Sequence, residues 1–453
     1  MRKTPPSSLP RLAPWAFSLM LAHGACVAAE PVIAPPAASI SMAFEQALDD
    51  ADAGDVFALE RHGTASADAR MTAIAKARIA AARLDAHGAI ALAGPIARDA
   101  TASPAHRARA FAVVADAAFT AGDYADAATA VDGWLTALAQ NNAPQEERDD
   151  ARRLGTLAHA LSTAPKQTVE SLAPARADTR RDKVGLSRAD ATVNGHVQEA
   201  VLDTGAGLSV VSRSTATRLG LRILDAAATI DSASRDAVPT RIGIADRFAF
   251  AGLELRNVAF LVLDDQQLEL PVPGGYAIDA IIGFPVLREF RRLRFERDGS
   301  MVPEPVAQAN PSAKENLRIV ASALYVQAKL RDVPVALHLD TGGPRSFLSS
   351  RFAQRHPHFA DGLAQQDERM AGAGGATVRR VARLANAELE LAGSRAKLPE
   401  LTIVTRDGEE VQAQNFGLMG GDVLDQFDSW TLDFEGMRFE LGAPVPAGER
   451  AGT

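Results

Sequence analysis

The sequence predicts a multidomain α + β protein: an N-terminal array of α-helices, then two copies of one mostly-β lobe. Three observations predict it. Residues 41–164 are rich in Ala, Leu and Arg, and glycines recur there at 54, 88 and 122, a period of 34. After about Val184 the texture changes to short β-branched runs broken by turn signals. Landmarks in this second part then recur at a constant offset of 137 residues. The 453 residues, 47% hydrophobic and 23% charged, are ordinary for globular domains and argue against wholesale disorder or a polytopic membrane protein. A net charge of −8 argues against nucleic-acid binding. One cysteine excludes a disulfide framework, and nine histidines without an HExxH spacing give no reason to expect a metal or other cofactor.

Residues 1–29 read as an export signal. Arg2, Lys3 and Arg11 precede an apolar stretch from Leu12, and Val27-Ala28-Ala29 offers small residues for cleavage before Glu30. Pro14, Ser18, His23 and Gly24 interrupt the stretch, so a membrane-spanning anchor is disfavoured and no integral segment is expected after cleavage. The chain is therefore expected to be exported, to the periplasm of a double-membrane bacterium. His23 stands where a lipobox wants Leu, which makes lipidation at Cys26 the minor alternative. Cleavage leaves a charge of about −11 and no cysteine.

Residues 40–165 are expected to be helical. The best repeat copy runs from Val114-Ala115-Asp116-Ala117-Ala118-Phe119 through Gly122-Asp123-Tyr124 to Ala127 and Trp134. It resembles the tetratricopeptide repeat, in which small residues let paired helices approach and glycine eases the turn. An ordinary Ala-rich bundle is the alternative. Either way this region has no catalytic constellation, and its expected role is to present a surface to a protein partner or substrate, or to pack on the rest of the chain. Residues 166–183 lack an apolar rhythm and are expected to be a linker.

Residues 184–305 and 314–443 are the two expected lobes. In the first, Asn194-Gly195 suits a type I′ hairpin, and Ala200-Val201-Leu202 leads into Asp203-Thr204-Gly205-Ala206. Ser209-Val210-Val211-Ser212 follows, then Ile281-Ile282-Gly283, Leu287 and Phe290. Adding 137 gives Asp340-Thr341-Gly342-Gly343, Ser346-Phe347-Leu348-Ser349, Leu418-Met419-Gly420, Leu424 and Phe427. The pattern resembles a retropepsin-type aspartic protease, with both lobes on one chain as in pepsin-like enzymes.

That resemblance implies a dyad, Asp203 and Asp340, that activates water to hydrolyse a peptide bond without a cofactor. Two facing carboxylates cannot both ionise easily, so one takes a proton from water while the other donates to the carbonyl. The resemblance also implies that Thr204 and Thr341 hydrogen-bond across the lobes, and that Gly205 and Gly342 bring backbone amides close to the carboxylates. Gly372, Gly374 and Gly375 are the expected flap over a peptide or protein substrate, with Asp231-Ser232-Ala233-Ser234 in the comparable place of lobe 1. Two departures stand out: Gly343 replaces the usual Ala, Ser or Thr, and no tyrosine lies in a flap. Ala206 and Gly343 lack the hydroxyls found beside the dyad in pepsins, so activity is expected nearer neutral pH. His338 is expected to be a core or edge histidine, and Arg288–Arg292 a solvated helix face. An exported aspartic endopeptidase is the leading expectation. A peptide-binding module without turnover and a helical scaffold with inert β lobes are the alternatives.

Overall fold

The computed structural model describes residues 37–230, 238–269, 275–305, 314–372, 375–407, 413 and 415–446. The expected signal with Cys26, the segment Asp231–Ser234 and Gly374 lie outside them. Seven helices come first: α1 (Ala37–Asp52), α2 (Val56–His62), α3 (Ala69–Ala82), α4 (Ala86–Arg98), α5 (Pro104–Thr120), α6 (Tyr124–Gln140) and α7 (Gln145–Leu161). Among the described residues none is long and apolar enough to cross a membrane. Alanines such as Ala75, Ala89, Ala110 and Ala151 are fully buried between helices, which is why a sequence so poor in aromatics packs well.

Two of the three periodic glycines do what their spacing suggests. Gly54 (φ +96°) and Gly122 (φ +79°) make the α1–α2 and α5–α6 turns in a conformation that favours glycine. Gly88 does not. It lies in the first turn of α4, its amide donating to the capping Asp85 carboxylate at 2.8 Å, and the α3–α4 turn is made at Leu84 (φ +62°).

The expectation of a linker at 166–183 is corrected. Thr168–Leu172 is a strand on the edge of lobe 1, antiparallel to Leu253–Arg256, and Ala177-Asp178 pairs with Ser300-Met301. The first of these strands is mostly exposed, which explains the missing apolar rhythm.

Each lobe is built round the same crossing. In lobe 1, Ala280–Ile282 runs parallel to the strand His196–Leu202 and antiparallel to Ser209–Ser212. In lobe 2, Gly417–Met419 inserts likewise between Val333–Leu339 and Phe347-Leu348. The hairpin at Asn194 (φ +49°) and Gly195 (φ +84°) has the left-handed backbone expected of its turn. A five-stranded sheet joins the lobes, with Arg292–Glu296 paired antiparallel to Ser429–Asp433. Arg292 is 5% exposed inside that sheet and pairs with Glu304, Glu440 and Asp433, so the expectation of a solvated helix face fails there. The largest apolar core fills both lobes. A second belongs to α1–α5 and takes in Val320, Tyr325 and Ala336 of lobe 2. A third lies between α5–α7 and lobe 1.

Candidate active site

Each Asp-Thr-Gly begins where a buried strand ends. The amide of Asp203 donates to the Ile282 carbonyl and that of Asp340 to the Met419 carbonyl, both at 3.1 Å. The inserted strand therefore fixes the start of each loop. Its exit is fixed too: the amides of Gly283 and Gly420 donate to Ser209 Oγ (3.2 Å) and Ser346 Oγ (3.0 Å). The residues beyond, Phe284–Leu287 and Gly421–Leu424, form short buried helices beneath the loops.

The two loops are locked to each other by their threonines. Thr204 Oγ1 donates to the Leu339 carbonyl (2.9 Å) and accepts from the Thr341 amide (3.1 Å). Thr341 Oγ1 donates to the Leu202 carbonyl (3.1 Å) and accepts from the Thr204 amide (3.1 Å). Thr204 is 1% exposed, so these bonds are shielded from competing water.

This grip places the carboxyl groups face to face. The amides of Gly205 and Gly342 each donate to Oδ1 of the Asp two residues earlier, at 2.8 Å. Neither glycine tolerates a side chain. A β-carbon on Gly205 would lie 2.7 Å from Asp340 Cγ, and one on Gly342 would lie 2.8 Å from Asp203 Oδ2. The structure thus brings together Asp203, Thr204, Gly205, Asp340, Thr341 and Gly342.

Burial, then the neighbouring Asp340, pushes the Asp203 carboxyl up to about 7; the Gly205 amide and His338 act against the rise. Burial also raises Asp340, opposed by the amides of Gly342 and Gly343 and by its bond with Asp203. The mutual hydrogen bond raises Asp203 and lowers Asp340, so the two carboxyl groups share a proton and titrate as a pair.

His338 sits next to this pair. It lies opposite Tyr325 in the neighbouring strand, ring centroids 5.6 Å apart. Its Nε2 is sealed from solvent with no hydrogen-bond partner, and burial drives its pKa down to about 4 against the pull of Asp203. It is a neutral histidine in the lining of the site. Its counterpart by the repeat is Val201, and this asymmetry is the only sign of it in the sequence.

Gly372 and Gly375 stand at the ends of two paired strands. Strands Gln365–Gly372 and Gly375–Leu391 pair antiparallel, with Gly372 opposite Gly375. In lobe 1 the corresponding strands are Arg222–Ile230 and Val238–Phe250. Among the described residues no group of acidic, His or Cys side chains is placed to hold a metal ion.

Residues 189–286 match a family model described as aspartyl protease. Among solved structures, a retropepsin-like aspartic protease from Rickettsia conorii is 17% identical, aligning over 30% of this chain and 94% of its own, with a TM-score of 0.21. Basic 7S globulin from soybean is 11% identical, over 61% of this chain and 95% of its own, with a TM-score of 0.34. No curated protein matches. The family match supports an aspartyl protease domain in lobe 1, the half that carries Asp203.

Proposed function

We propose that this chain is an exported aspartic endopeptidase that hydrolyses peptide bonds with water activated by Asp203 and Asp340. The observation that carries the reading is the facing pair of buried carboxyl groups held by reciprocal threonine bonds. A water between them loses a proton to Asp340 as its oxygen bonds to the scissile carbonyl carbon. Asp203 gives its proton to the carbonyl oxygen. The tetrahedral species collapses as Asp340 passes its proton to the amide nitrogen, a hydroxyl returns its proton to Asp203, and the C–N bond breaks. The raised Asp203 keeps its proton to near neutral pH, which supports the expectation from Ala206 and Gly343. Gly372, Gly374 and Gly375 are proposed to close over an extended substrate whose backbone pairs with theirs. Export rests on the leader at residues 1–29, and the partner surface on the helical domain.

The test is cleavage of an unfolded protein by the chain starting at Glu30, with and without the statine inhibitor pepstatin. Asp203→Asn and Asp340→Asn should each lower the rate by roughly 1,000-fold or more. Activity should fall above about pH 7, where Asp203 loses its proton. Cleavage that survives both substitutions would overturn the mechanism. Peptide binding without cleavage at any pH would identify a binding module.

A further inference from the structure

A substrate groove has walls, and here the walls are already covered. Strand alternation puts Val201 on the same face as Asp203, two residues on. Ile281 lies beside Val201 in one neighbouring pairing and beside Val210 in the other, so all three share that face. Leu208 follows the Asp203 loop directly. A peptide crossing the dyad would run along these residues, yet Val201 is 1% exposed and Ile281 6%. They join one apolar cluster with Phe119 of α5, Ala128 of α6 and Leu161 of α7, together with lobe-1 residues such as Ile242 and Leu263.

Lobe 2 is covered in the same way. Ala336 and His338 share the face of Asp340 by alternation, and Tyr325 lies opposite His338. Tyr325 and Ala336 belong to the apolar core of α1–α5, and a β-carbon on Gly54 would collide with the Tyr325 ring. Polar contacts fix the seat. Asp116 of α5 accepts from the Ala321 amide (2.9 Å) and from Arg78 (2.6 Å), and Thr120 meets Ser322 hydroxyl to hydroxyl at 3.3 Å. Arg288 of lobe 1 reaches the Thr120 carbonyl. Two ion pairs anchor the rim, Arg355 to Asp50 (2.7 and 2.8 Å) and Arg318 to Glu60 (2.7 and 2.9 Å).

We infer that the helical domain occupies the substrate groove of its own chain, and that it must swing away before a peptide reaches Asp203 and Asp340. The inference rests on the endopeptidase reading for its meaning but not for its test. After α7 ends at Leu161, only residues 162–167 connect it to the edge strand beginning at Thr168, and that short segment is the natural hinge. A partner that captures the helices would open the site. This gives the helical surface a role as cover rather than as substrate platform.

The test uses the chain from Glu30, which has no cysteine, carrying Thr120→Cys and Ser322→Cys. Their hydroxyls lie within the reach of a disulfide. Cleavage, pepstatin binding and hydrogen exchange at residues 200–210 are compared in the oxidised and reduced states. A second variant, Glu60→Ala with Arg355→Ala, loosens the seat. Locking should lower cleavage and pepstatin affinity by roughly tenfold or more, reversed on reduction, because only the open fraction binds. Loosening should raise both and speed exchange at 200–210. Equal cleavage or equal binding in the locked and reduced states overturns the inference. If no form cleaves or binds, the endopeptidase reading falls, and exchange alone decides: no acceleration on loosening overturns the docked groove.

Discussion

Asp203→Asn should abolish turnover and make the folded chain more stable at neutral pH. In the native state the Asp203 carboxyl is raised from 3.8 to about 7 by burial and by Asp340. An unfolded carboxyl releases its proton near 3.8. Between that value and about 7 the native chain therefore binds more protons than the unfolded one, and stability falls as pH rises. The full shift would correspond to roughly 4 kcal/mol at ~1.36 kcal/mol per tenfold change in proton affinity. Sharing of the proton within the pair makes about 1–4 kcal/mol the range to expect. Asparagine keeps the shape, accepts the Gly205 amide and donates to Asp340, so it removes the titration and little else. Urea unfolding of both proteins at pH 4, 6 and 8 measures the effect. The gain of the variant over wild type should be smallest at pH 4 and grow between pH 4 and 7, then level off. A difference that does not change with pH, or a variant that loses stability relative to wild type as pH rises, would refute the reasoning.

Three further outcomes follow from the same geometry. Thr204→Ala leaves the Leu339 carbonyl and the Thr341 amide without their partner in a buried place, and should cost about 2–4 kcal/mol in urea unfolding, with Thr204→Ser recovering most of it. Gly342→Ala puts a β-carbon 2.8 Å from Asp203 Oδ2 and should lower the cleavage rate by roughly 100-fold while the circular dichroism spectrum stays unchanged. Arg292→Met strips three carboxylates of their common partner, among them Asp433 with no exposed surface, and should lower stability by about 3–5 kcal/mol in the same unfolding assay.

What the sequence made legible is what the repeat encodes twice. Asp203 and Asp340, the threonines beside them and the inserted strands ending at Gly283 and Gly420 all stand 137 residues apart, and the structure assembles each pair symmetrically. The offset is not uniform, however. The Phe250–Leu253 turn corresponds to Leu391–Ser394, an offset of 141, since lobe 2 carries the extra turn Pro357–Phe359 before its hairpin. Landmarks near the dyad hide that insertion because the spacing is restored by Gly283 and Gly420. The remaining misses are tertiary in origin. Thr168–Leu172 is an edge strand with little to bury, so no alternation marks it. Arg292 reads as a surface cation until a strand from the other lobe brings Asp433 and Glu440 to it. Val201 and Ile281 look like any core residues, and only the folded arrangement shows that their apolar cluster extends to helices from a distant part of the chain.

The sheet that joins the lobes has a consequence for how the site behaves on dilution. Were Asp203 and Asp340 on separate chains, halving the protein concentration would shift molecules toward lone lobes with one carboxylate each. Here Arg292–Glu296 and Ser429–Asp433 belong to one polypeptide, so each lobe meets its mate at a fixed, high effective concentration. On the proposed mechanism, specific activity should then be independent of protein concentration. Freed from serving as both halves of a symmetric pair, the lobes are also able to diverge: valine at 201 faces one side of the dyad and histidine at 338 the other.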